Sequence, residues 1–171
     1  MANTYTLIAS NVLSTTAASV TFSAIPATYT DLVLRITARG TRVNQTVYTY
    51  LQFNGDTATN YSYTALAGDG AAASSYRGTS TTLATSGRNS AASGTSNTFS
   101  SQEIYIPSYT ASQSKPVSGI GIAENNTTTA YIEADANLWR NTAAITSILI
   151  YPAQNDWDSG SSFYLYGIKN T

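Results

Sequence analysis

Apolar and polar residues alternate with a period of two along most of the chain, which is the pattern of half-buried β-strands. Residues 31–38 show it clearly, because Leu32, Leu34 and Ile36 fall on one face and Arg35 falls on the other. Strands predicted in this way cover residues 5–9, 19–25, 31–38, 47–53, 104–106, 119–122, 130–137, 146–151 and 162–168. About eight to ten such strands, separated by turn residues, predict an all-β fold, an antiparallel β-sandwich of jelly-roll-like form.

Large apolar side chains on the inward faces of these strands form the predicted core. They are Leu32, Leu34, Ile36, Leu51, Phe53, Ile104, Ile106, Ile120, Ile122, Ile148, Ile150 and Phe163. In the segment 119–122 glycine alternates with isoleucine, and the glycine side is expected to let another backbone approach closely. The sequence therefore predicts a single β-sandwich domain over residues 1–171.

Residues 68–96 break the alternating pattern, because this segment is rich in Gly, Ala, Ser and Thr and has few large apolar residues. Two interpretations stay open: a long exposed loop, or an arm that becomes ordered against a neighbouring protein. Small side chains let two backbones approach closely, so the segment is a predicted assembly region.

Charged residues make up only 10% of the chain, against about 25% in typical globular proteins. Ser, Thr, Asn and Ala take their place, so little charge has to be desolvated when other protein packs on this surface. The formal net charge is −1, and Lys and Arg are scattered singly. This distribution argues against nucleic acid binding, which needs clustered cations. No run of about 18 apolar residues occurs, so no membrane span is expected.

The chain has no cysteine and no histidine. The composition thus excludes disulfides, thiolate metal sites, Ser-His-Asp triads and zinc sites built on imidazole. No phosphate-binding loop occurs either. We therefore expect a protein without catalytic activity, cofactor or metal.

Two acidic segments are the remaining candidates for chemistry. Glu133 and Asp135 lie two residues apart and share one face of a predicted strand. There they would act as the acid and base of a polysaccharide hydrolase, or form a solvated outer face. Asp156 and Asp158 precede Gly160 in a segment with part of a calcium-loop spacing, but the terminal Glu of such a loop is missing. An Asx-rich turn is the alternative interpretation.

Trp139 and Trp157 are candidates for a sugar-stacking platform, because exposed aromatic rings beside Asn and Asp side chains commonly bind carbohydrate. The alternative, which we favour, is that both rings cap the core of the sandwich.

Short segments along the chain carry a resemblance to a known group of proteins. They are Ser19–Arg35 (SVTFSAIPATYTDLVLR), Gln52–Thr57 (QFNGDT), Asn97–Pro107 (NTFSSQEIYIP), Glu124–Asn126 (ENN), Leu138–Thr142 (LWRNT) and Phe163–Ile168 (FYLYGI). These segments resemble small virion proteins of tailed bacteriophages, notably those that infect cyanobacteria. The resemblance is spread over nearly the whole chain and includes no catalytic motif. It implies a jelly-roll-like, often trimeric protein that serves as a capsid decoration (cement) protein or as the head of a tail fibre.

The same resemblance implies a place in the virion, assembly in the host cytoplasm, and the major capsid protein or other virion proteins as partners. The first predicted strand begins near Tyr5, with no attachment domain or fibre shaft before it. This favours a decoration protein, expected as a homotrimer, that bridges neighbouring capsid subunits. The alternative is a tail-fibre receptor-binding or carbohydrate-binding module that contacts a host-surface glycan. The predicted assembly contacts are Met1, Asn3, Tyr5, Tyr76, Arg77, Leu83 and Arg88.

Overall fold

The computed structural model describes residues 4–169, so the predicted contact residues Met1 and Asn3 lie outside the described part of the chain. Regular structure in residues 4–169 consists of twelve β-strands. They are β1 (Tyr5–Val12), β2 (Val20–Phe22), β3 (Asp31–Thr37), β4 (Thr46–Phe53), β5 (Tyr61–Gly68), β6 (Ala73–Thr81), β7 (Ala84–Ser90), β8 (Ser101–Ile106), β9 (Lys115–Ala123), β10 (Tyr131–Trp139), β11 (Ile148–Pro152) and β12 (Ser162–Ile168). Asn54 and Gly55 end β4 in the left-handed backbone region, with φ of 53° and 68°, which Asn and Gly tolerate better than other residues.

The strands form two antiparallel sheets. The large sheet has eight strands in the order β1-β12-β3-β8-β9-β10-β5-β6, and the small sheet has four in the order β2-β11-β4-β7. The chain crosses repeatedly from one sheet to the other, because consecutive strands often belong to different sheets. The predicted all-β sandwich is confirmed, with twelve strands instead of about eight to ten. The unequal sheets differ from the balanced pair of a simple jelly roll.

The two sheets enclose a hydrophobic core beneath β3, β8 and β12. Leu34, Ile104 and Phe163 are fully buried on the large sheet, and Leu51 and Ile150 are fully buried on the small sheet. In each of these strands every second residue points inward, as the sequence pattern predicts. The core therefore lies where the alternation of large apolar and polar residues is strongest.

The core prediction is wrong for two residues of β9. Ile120 and Ile122 point outward and are 48% and 45% exposed, whereas Gly119 and Gly121 face the interior. The reason is the close passage of β7: a Cβ atom on Gly121 would lie 3.0 Å from the Cα of Gly87. The close backbone approach expected on the glycine side is thus confirmed, and it forces the isoleucines to the other face.

The loop predicted for residues 68–96 is replaced by two strands. β6 extends the large sheet as its last strand, and β7 joins the small sheet beside β4. β7 is buried along most of its length and packs on β9 and β10, where small residues such as Gly87 fit the narrow space. Beyond β7, Arg39 donates hydrogen bonds to the carbonyl oxygens of Thr95 and Thr98 at 2.9 and 3.0 Å. The chain's own contacts therefore order this segment.

Candidate interaction surface

The inner side of β10 carries charged and polar groups where a sandwich core is normally apolar. Glu133, Asp135 and Asn137 point inward from β10. Arg88 and Ser86 of β7 contact Glu133 and Asp135, and Asn137 donates a hydrogen bond to Asp135. We call these five residues the inner polar cluster. Glu133 is 1% exposed and Asp135 is 6% exposed, so both carboxylates have been removed from water.

Arg88 neutralises the charge of Glu133. Its Nε donates a hydrogen bond to Glu133 Oε2 at 3.1 Å. The guanidinium carbon also lies 3.9 Å from the centre of the Tyr131 ring and 4.5 Å from the centre of the Tyr48 ring, so two aromatic rings attract the cation. Glu133 Oε1 has no hydrogen-bond partner among the described residues. The ion pair is therefore the main compensation for burying this carboxylate.

Asp135 is held by hydrogen bonds and not by a cation. Its carboxylate accepts hydrogen bonds from Ser86 Oγ and Gly87 N, both at 3.2 Å, and from Asn137 Nδ2 at 2.7 Å. Burial nevertheless raises the pKa of Asp135 to about 6, and the charge of Glu133 acts in the same direction, against these hydrogen bonds. At neutral pH the ionised Asp135 side chain thus lowers the free energy of unfolding.

The inner polar cluster is closed to a substrate. Because both carboxylates face the opposite sheet, the geometry does not support the acid and base roles that were considered for Glu133 and Asp135 as an alternative. The alternative of a solvated outer face is also wrong, since the outward residues of β10 are apolar. In residues 4–169, no group of three or more His, Cys, Asp or Glu side chains is placed to hold a metal ion. Asp158 lies in a turn, where its Oδ1 accepts a hydrogen bond from Ser159 N at 2.8 Å.

Both tryptophans lie in the core. Trp139 and Trp157 are 1% and 0% exposed, and each indole N–H has an internal acceptor. Trp139 Nε1 donates to Asp56 Oδ2 at 2.7 Å, and Trp157 Nε1 donates to the carbonyl oxygen of Ile150 at 3.4 Å. The favoured interpretation, in which the rings cap the sandwich core, is therefore confirmed, and the alternative of a sugar platform on Trp139 and Trp157 is wrong.

The outer face of β9, β10 and β5 is apolar. Ile120 and Ile122 of β9, Ile132 and Ala134 of β10 and Leu66 of β5 point outward, and we call these five residues the aliphatic patch. Ile132 lies opposite Ile122, and Ala134 lies between Ile120 and Leu66. The four large side chains are 45–59% exposed. They leave on the order of 400 Å² of contiguous apolar surface, which is within the range of the largest apolar patch on a typical soluble monomer, and such patches are often functional.

Small residues shape the middle of the aliphatic patch. Gly68, Ala73 and Ala134 line an open depression of about 290 Å³ together with the larger patch residues. In the three described strands β5, β9 and β10, no outward side chain is charged. Charged residues stand at the border instead: Glu103 is paired with Ile120 across β8 and β9, and Arg77 is paired with Thr64 across β6 and β5. An apolar centre with a polar rim is the usual composition of a protein–protein interface.

The outer face of β1, β12, β3 and β8 has a different chemistry. Tyr5 and Leu7 of β1, Tyr166 of β12, Arg35 of β3 and Glu103 of β8 form what we call the tyrosine patch. The Arg35 guanidinium lies 5.8 Å from the Tyr5 ring centre and 5.9 Å from the Tyr166 ring centre, and its Nε donates to Glu103 Oε2 at 3.0 Å. Tyr5 and Leu7 are 49% and 50% exposed. Tyr and Arg side chains are enriched in protein interfaces.

The predicted assembly contacts are dispersed over the structure. Tyr5 belongs to the tyrosine patch, Arg77 is exposed on β6, and Leu83 is partly exposed between β6 and β7. Tyr76 is half-buried, and its ring makes edge contacts with two neighbouring tyrosines. The structure argues against Arg88 as a contact, because its side chain is only 18% exposed and its guanidinium is paired with Glu133. The residues next to Arg88 in β7 are small, so the sequence shows no alternating pattern from which this burial could be predicted.

The aliphatic patch was missed as a surface feature, although the sequence contains a signal for it. Acidic and amide residues alternate with Ile132 and Ala134 along β10, so the polar set or the apolar set must face inward. The alternation in β9 offers the same choice between glycine and isoleucine. In both strands the face opposite the isoleucines carries glycine or carboxylate residues. Two adjacent strands of this kind indicate a region of the sheet in which the aliphatic face points outward.

The described residues, 4–169, include no helical segment with the length and hydropathy of a membrane span. Comparison of the sequence with protein-family models gave no match. Comparison of the chain with curated proteins and with solved structures gave no significant similarity either. What the chain does must therefore be inferred from its own surface, whose two patches lie side by side on one sheet.

Proposed function

We propose that this chain is a structural protein of a tailed-phage virion, a capsid decoration protein that bridges neighbouring subunits of the shell. The observation that carries the proposal is the outer face of the large sheet, which exposes large aliphatic or aromatic side chains on β1, β9, β10 and β5. An exposed surface of this kind favours contact with other protein. The resemblance of the sequence to small phage virion proteins supplies the class of partner.

The tyrosine patch is the surface that we assign to the shell. Tyr5 and Leu7 lie on an edge strand, so a partner can reach them without rearranging the sandwich. Arg35 and Glu103 add paired charges that can form directional contacts. Because the chain has few charges, contacts over the rest of this surface require little desolvation of charged groups. Several linked copies would each contribute a weak contact and gain effective concentration, as the expected homotrimer would.

The test is binding of the purified chain to phage heads that lack it. We expect the chain to sediment with the heads and to appear by cryo-electron microscopy as regular protrusions between capsomers. A Tyr5→Ala/Leu7→Ser variant should lose at least a tenfold factor in affinity. Val12→Ser is the matched control, because Val12 is exposed on the same strand outside the patch. Heads that stay bare at every protein concentration would refute the proposal.

A second candidate function, recognition of a host-surface glycan, is favoured by the same tyrosine patch. The exposed Tyr5 ring and the partly exposed Tyr166 ring stand beside hydrogen-bonding groups of Arg35 and Glu103, which is a combination that suits a sugar. Binding of the chain to host cells and to defined glycans, weakened by Tyr166→Ala, would favour this role. A glycan array without binding, together with decorated heads, would remove it.

A further inference from the structure

We propose that the free edge of β6 binds an extended segment of a partner protein, which adds a further strand to the large sheet. β6 is the last strand of that sheet and pairs only with β5. A strand at the edge of a sheet carries a row of backbone N–H and C=O groups with which another extended chain can pair. The inference deepens the proposed function and rests on it only for the source of the segment, which would be a shell subunit.

β6 is less protected than the other three sheet edges. β2 has only three residues, β1 is interrupted by a shift of register between Leu7 and Ala9, and β7 is buried along most of its length. Short strands, bulges and burial are among the means by which proteins block pairing at sheet edges. β6 has nine residues, contains no proline, and is exposed at most positions. Its pairing with β5 is regular from Ala73 to Gly78, so this stretch is the edge most open to another strand.

The backbone groups of alternate β6 residues point away from β5. Asp69 N donates a hydrogen bond to the carbonyl oxygen of Ala72 at 3.2 Å, which closes the turn between β5 and β6. Hydrogen-bonded and non-bonded pairs alternate in an antiparallel ladder, so Ala73, Ser75 and Arg77 turn their N–H and C=O groups to the free side. In residues 4–169 these groups have no protein partner. An extended polypeptide can satisfy such a row, because its own N–H and C=O groups repeat with a matching period.

The side chains beside this edge define the chemistry of the segment. Arg77 is exposed and belongs to no ion pair within residues 4–169, so an acidic side chain opposite Arg77 would be attracted to it. Ala73 lines the open depression of the aliphatic patch, so a large aliphatic side chain opposite Ala73 would cover part of that patch. The segment that fits therefore carries an aliphatic and an acidic residue on one face, spaced as Ala73 and Arg77 are.

Contacts on the inner side hold β6 in place before a partner arrives. The Tyr76 ring is half-buried and lies 6.3 Å, between ring centres, from both Tyr48 of the small sheet and Tyr63 of β5. A Cβ atom on Gly78 would lie 2.5 Å from the Tyr63 ring, so this ring packs closely on β6. A preformed edge loses little conformational entropy on association. Main-chain hydrogen bonds supply the affinity of strand addition, so a large apolar interface is not required.

The experiment selects binders of the full chain from a library of random short peptides and measures their affinity by fluorescence anisotropy. We expect the selected peptides to share an aliphatic and an acidic residue in the spacing given above. Ser75→Pro should weaken their binding at least tenfold, because it removes a free-side N–H but none of the hydrogen bonds to β5. Ser75→Ala is the matched control, since it keeps this N–H, and its affinity should stay within about twofold of the wild type. Arg77→Glu should also weaken binding at least tenfold, because it repels the acidic residue.

Hydrogen exchange of the wild-type chain stays informative if Ser75→Pro fails to fold. In the free chain the amides of Ser75 and Arg77 should exchange quickly, because they face solvent. The amides of Ser74 and Tyr76 should exchange slowly, because they bond to β5. A selected peptide should slow the exchange of Ser75 and Arg77 in particular.

Four results would overturn the inference: a library that yields no binder, peptides that bind Ser75→Pro as tightly as the wild type, protection confined to residues outside β6, or a free chain already paired with a second copy through β6. The last would appear in sedimentation as a two-chain mass that Ser75→Pro reduces to one.

Head binding separates this inference from the proposed function. Peptides that bind at β6, together with heads that stay bare, would refute the decoration role alone. Heads that the wild type and Ser75→Pro decorate equally, together with a library that yields no binder, would refute strand addition alone.

Discussion

The two halves of the large sheet place their side chains in opposite senses. In the half formed by β1, β12, β3 and β8, large apolar residues such as Leu34 point inward, and Arg35 and the tyrosines point outward. In the half formed by β9, β10 and β5, Glu133 and Asp135 point inward and Ile132 points outward. One continuous sheet thus contains an ordinary half and an inverted half.

The difference between the two halves indicates that the inverted half has a role beyond the stability of the fold. Burying carboxylates costs free energy that apolar residues in the same space would not require. Leaving large aliphatic side chains half exposed forgoes about half of the 1.5–3 kcal/mol that full burial of each would contribute. The first cost falls on β10, which carries both buried carboxylates, and the second falls on β9, β10 and β5. A partner that covers the aliphatic patch would recover the second cost, which is why we assign this half to assembly.

The largest expected effect comes from two ion pairs that have the same geometry in the two halves. Arg88 bonds Glu133 at 3.1 Å inside the sandwich, and Arg35 bonds Glu103 at 3.0 Å on the outer face. Arg88→Leu should lower the free energy of unfolding by about 3–5 kcal/mol, because it leaves Glu133 charged and buried. Arg35→Leu should cost about 1 kcal/mol or less, because water solvates the remaining carboxylate. Urea unfolding at pH 7 measures both values.

The double variant Arg88→Leu/Glu133→Leu sharpens the same comparison. It removes both buried charges, so it should recover most of the stability lost in Arg88→Leu. Equal and small losses in Arg88→Leu and Arg35→Leu would mean that water reaches the interior ion pair. The unpaired carboxylate would then cost no more inside the sandwich than on the outer face, and the described difference between the halves would be wrong.

The next effect is a pH dependence that arises from the inverted half. Burial first, and then the charge of Glu133, raise the pKa of Asp135 from 3.8 to about 6. Between these values the folded chain binds a proton that the unfolded chain does not. The free energy of unfolding should therefore fall as pH rises from about 4 to about 6, by at most about 3 kcal/mol, and this contribution should be constant above that range.

Unfolding by urea at several pH values between 4 and 8 tests this dependence. Asp135→Asn should remove the fall, since no carboxyl group remains to titrate at that position. Glu103→Gln, on the outer face, should keep it because Asp135 is unchanged. A wild type and an Asp135→Asn variant with parallel pH profiles would show that Asp135 is solvated in the folded chain.

A smaller effect concerns the glycines that allow β7 to approach the inverted half. A Cβ atom on Gly119 would lie 2.5 Å from Ser86 Oγ and 2.6 Å from Asp135 Oδ2. Gly119→Ala should therefore lower the free energy of unfolding by about 1–3 kcal/mol, since the inner polar cluster must shift. Gly68→Ala is the control: its Cβ would meet Ile132 at 3.6 Å, an ordinary contact, and the change should stay within about 0.5 kcal/mol. Chemical denaturation of the two variants decides whether β7 is packed as tightly as described.

The ordinary half could be predicted from the sequence, and the inverted half could not. In β3 the residues at every second position are large and apolar and their neighbours include Arg35, so only one face can be buried. In residues 119–122 of β9 one face carries glycine and the other carries isoleucine, and size alone favours burying Ile120 and Ile122. The structure buries the glycines because β7 needs the space, and that is a contact between residues distant in the chain.

The same limit applies to the candidate site. β7 was not predicted as a strand, because small residues such as Ser86 and Gly87 pack on both of its sides and leave no alternation to detect. Without β7 the sequence offers no partner for Glu133, so its burial beside Arg88 could not be foreseen. Tyr5, which was predicted as an assembly contact, is exposed in the tyrosine patch, and the contact itself stays a prediction.

The smallest expected effect returns to the outer face of the ordinary half. Tyr5 lies on an edge strand, is 49% exposed and stands over the guanidinium of Arg35. An exposed cation–π contact contributes about 0.5–1 kcal/mol, so Tyr5→Ala should lower the free energy of unfolding by about 1 kcal/mol or less. Tyr61→Ala is the contrasting variant, because the Tyr61 ring is fully buried and its hydroxyl accepts a hydrogen bond from Phe53 N at 3.0 Å. That variant should cost about 3–5 kcal/mol. A loss above about 2 kcal/mol in Tyr5→Ala would mean that Tyr5 holds β1 in the sheet, and the tyrosine patch would then be a structural feature of the ordinary half and not a surface free to bind a partner.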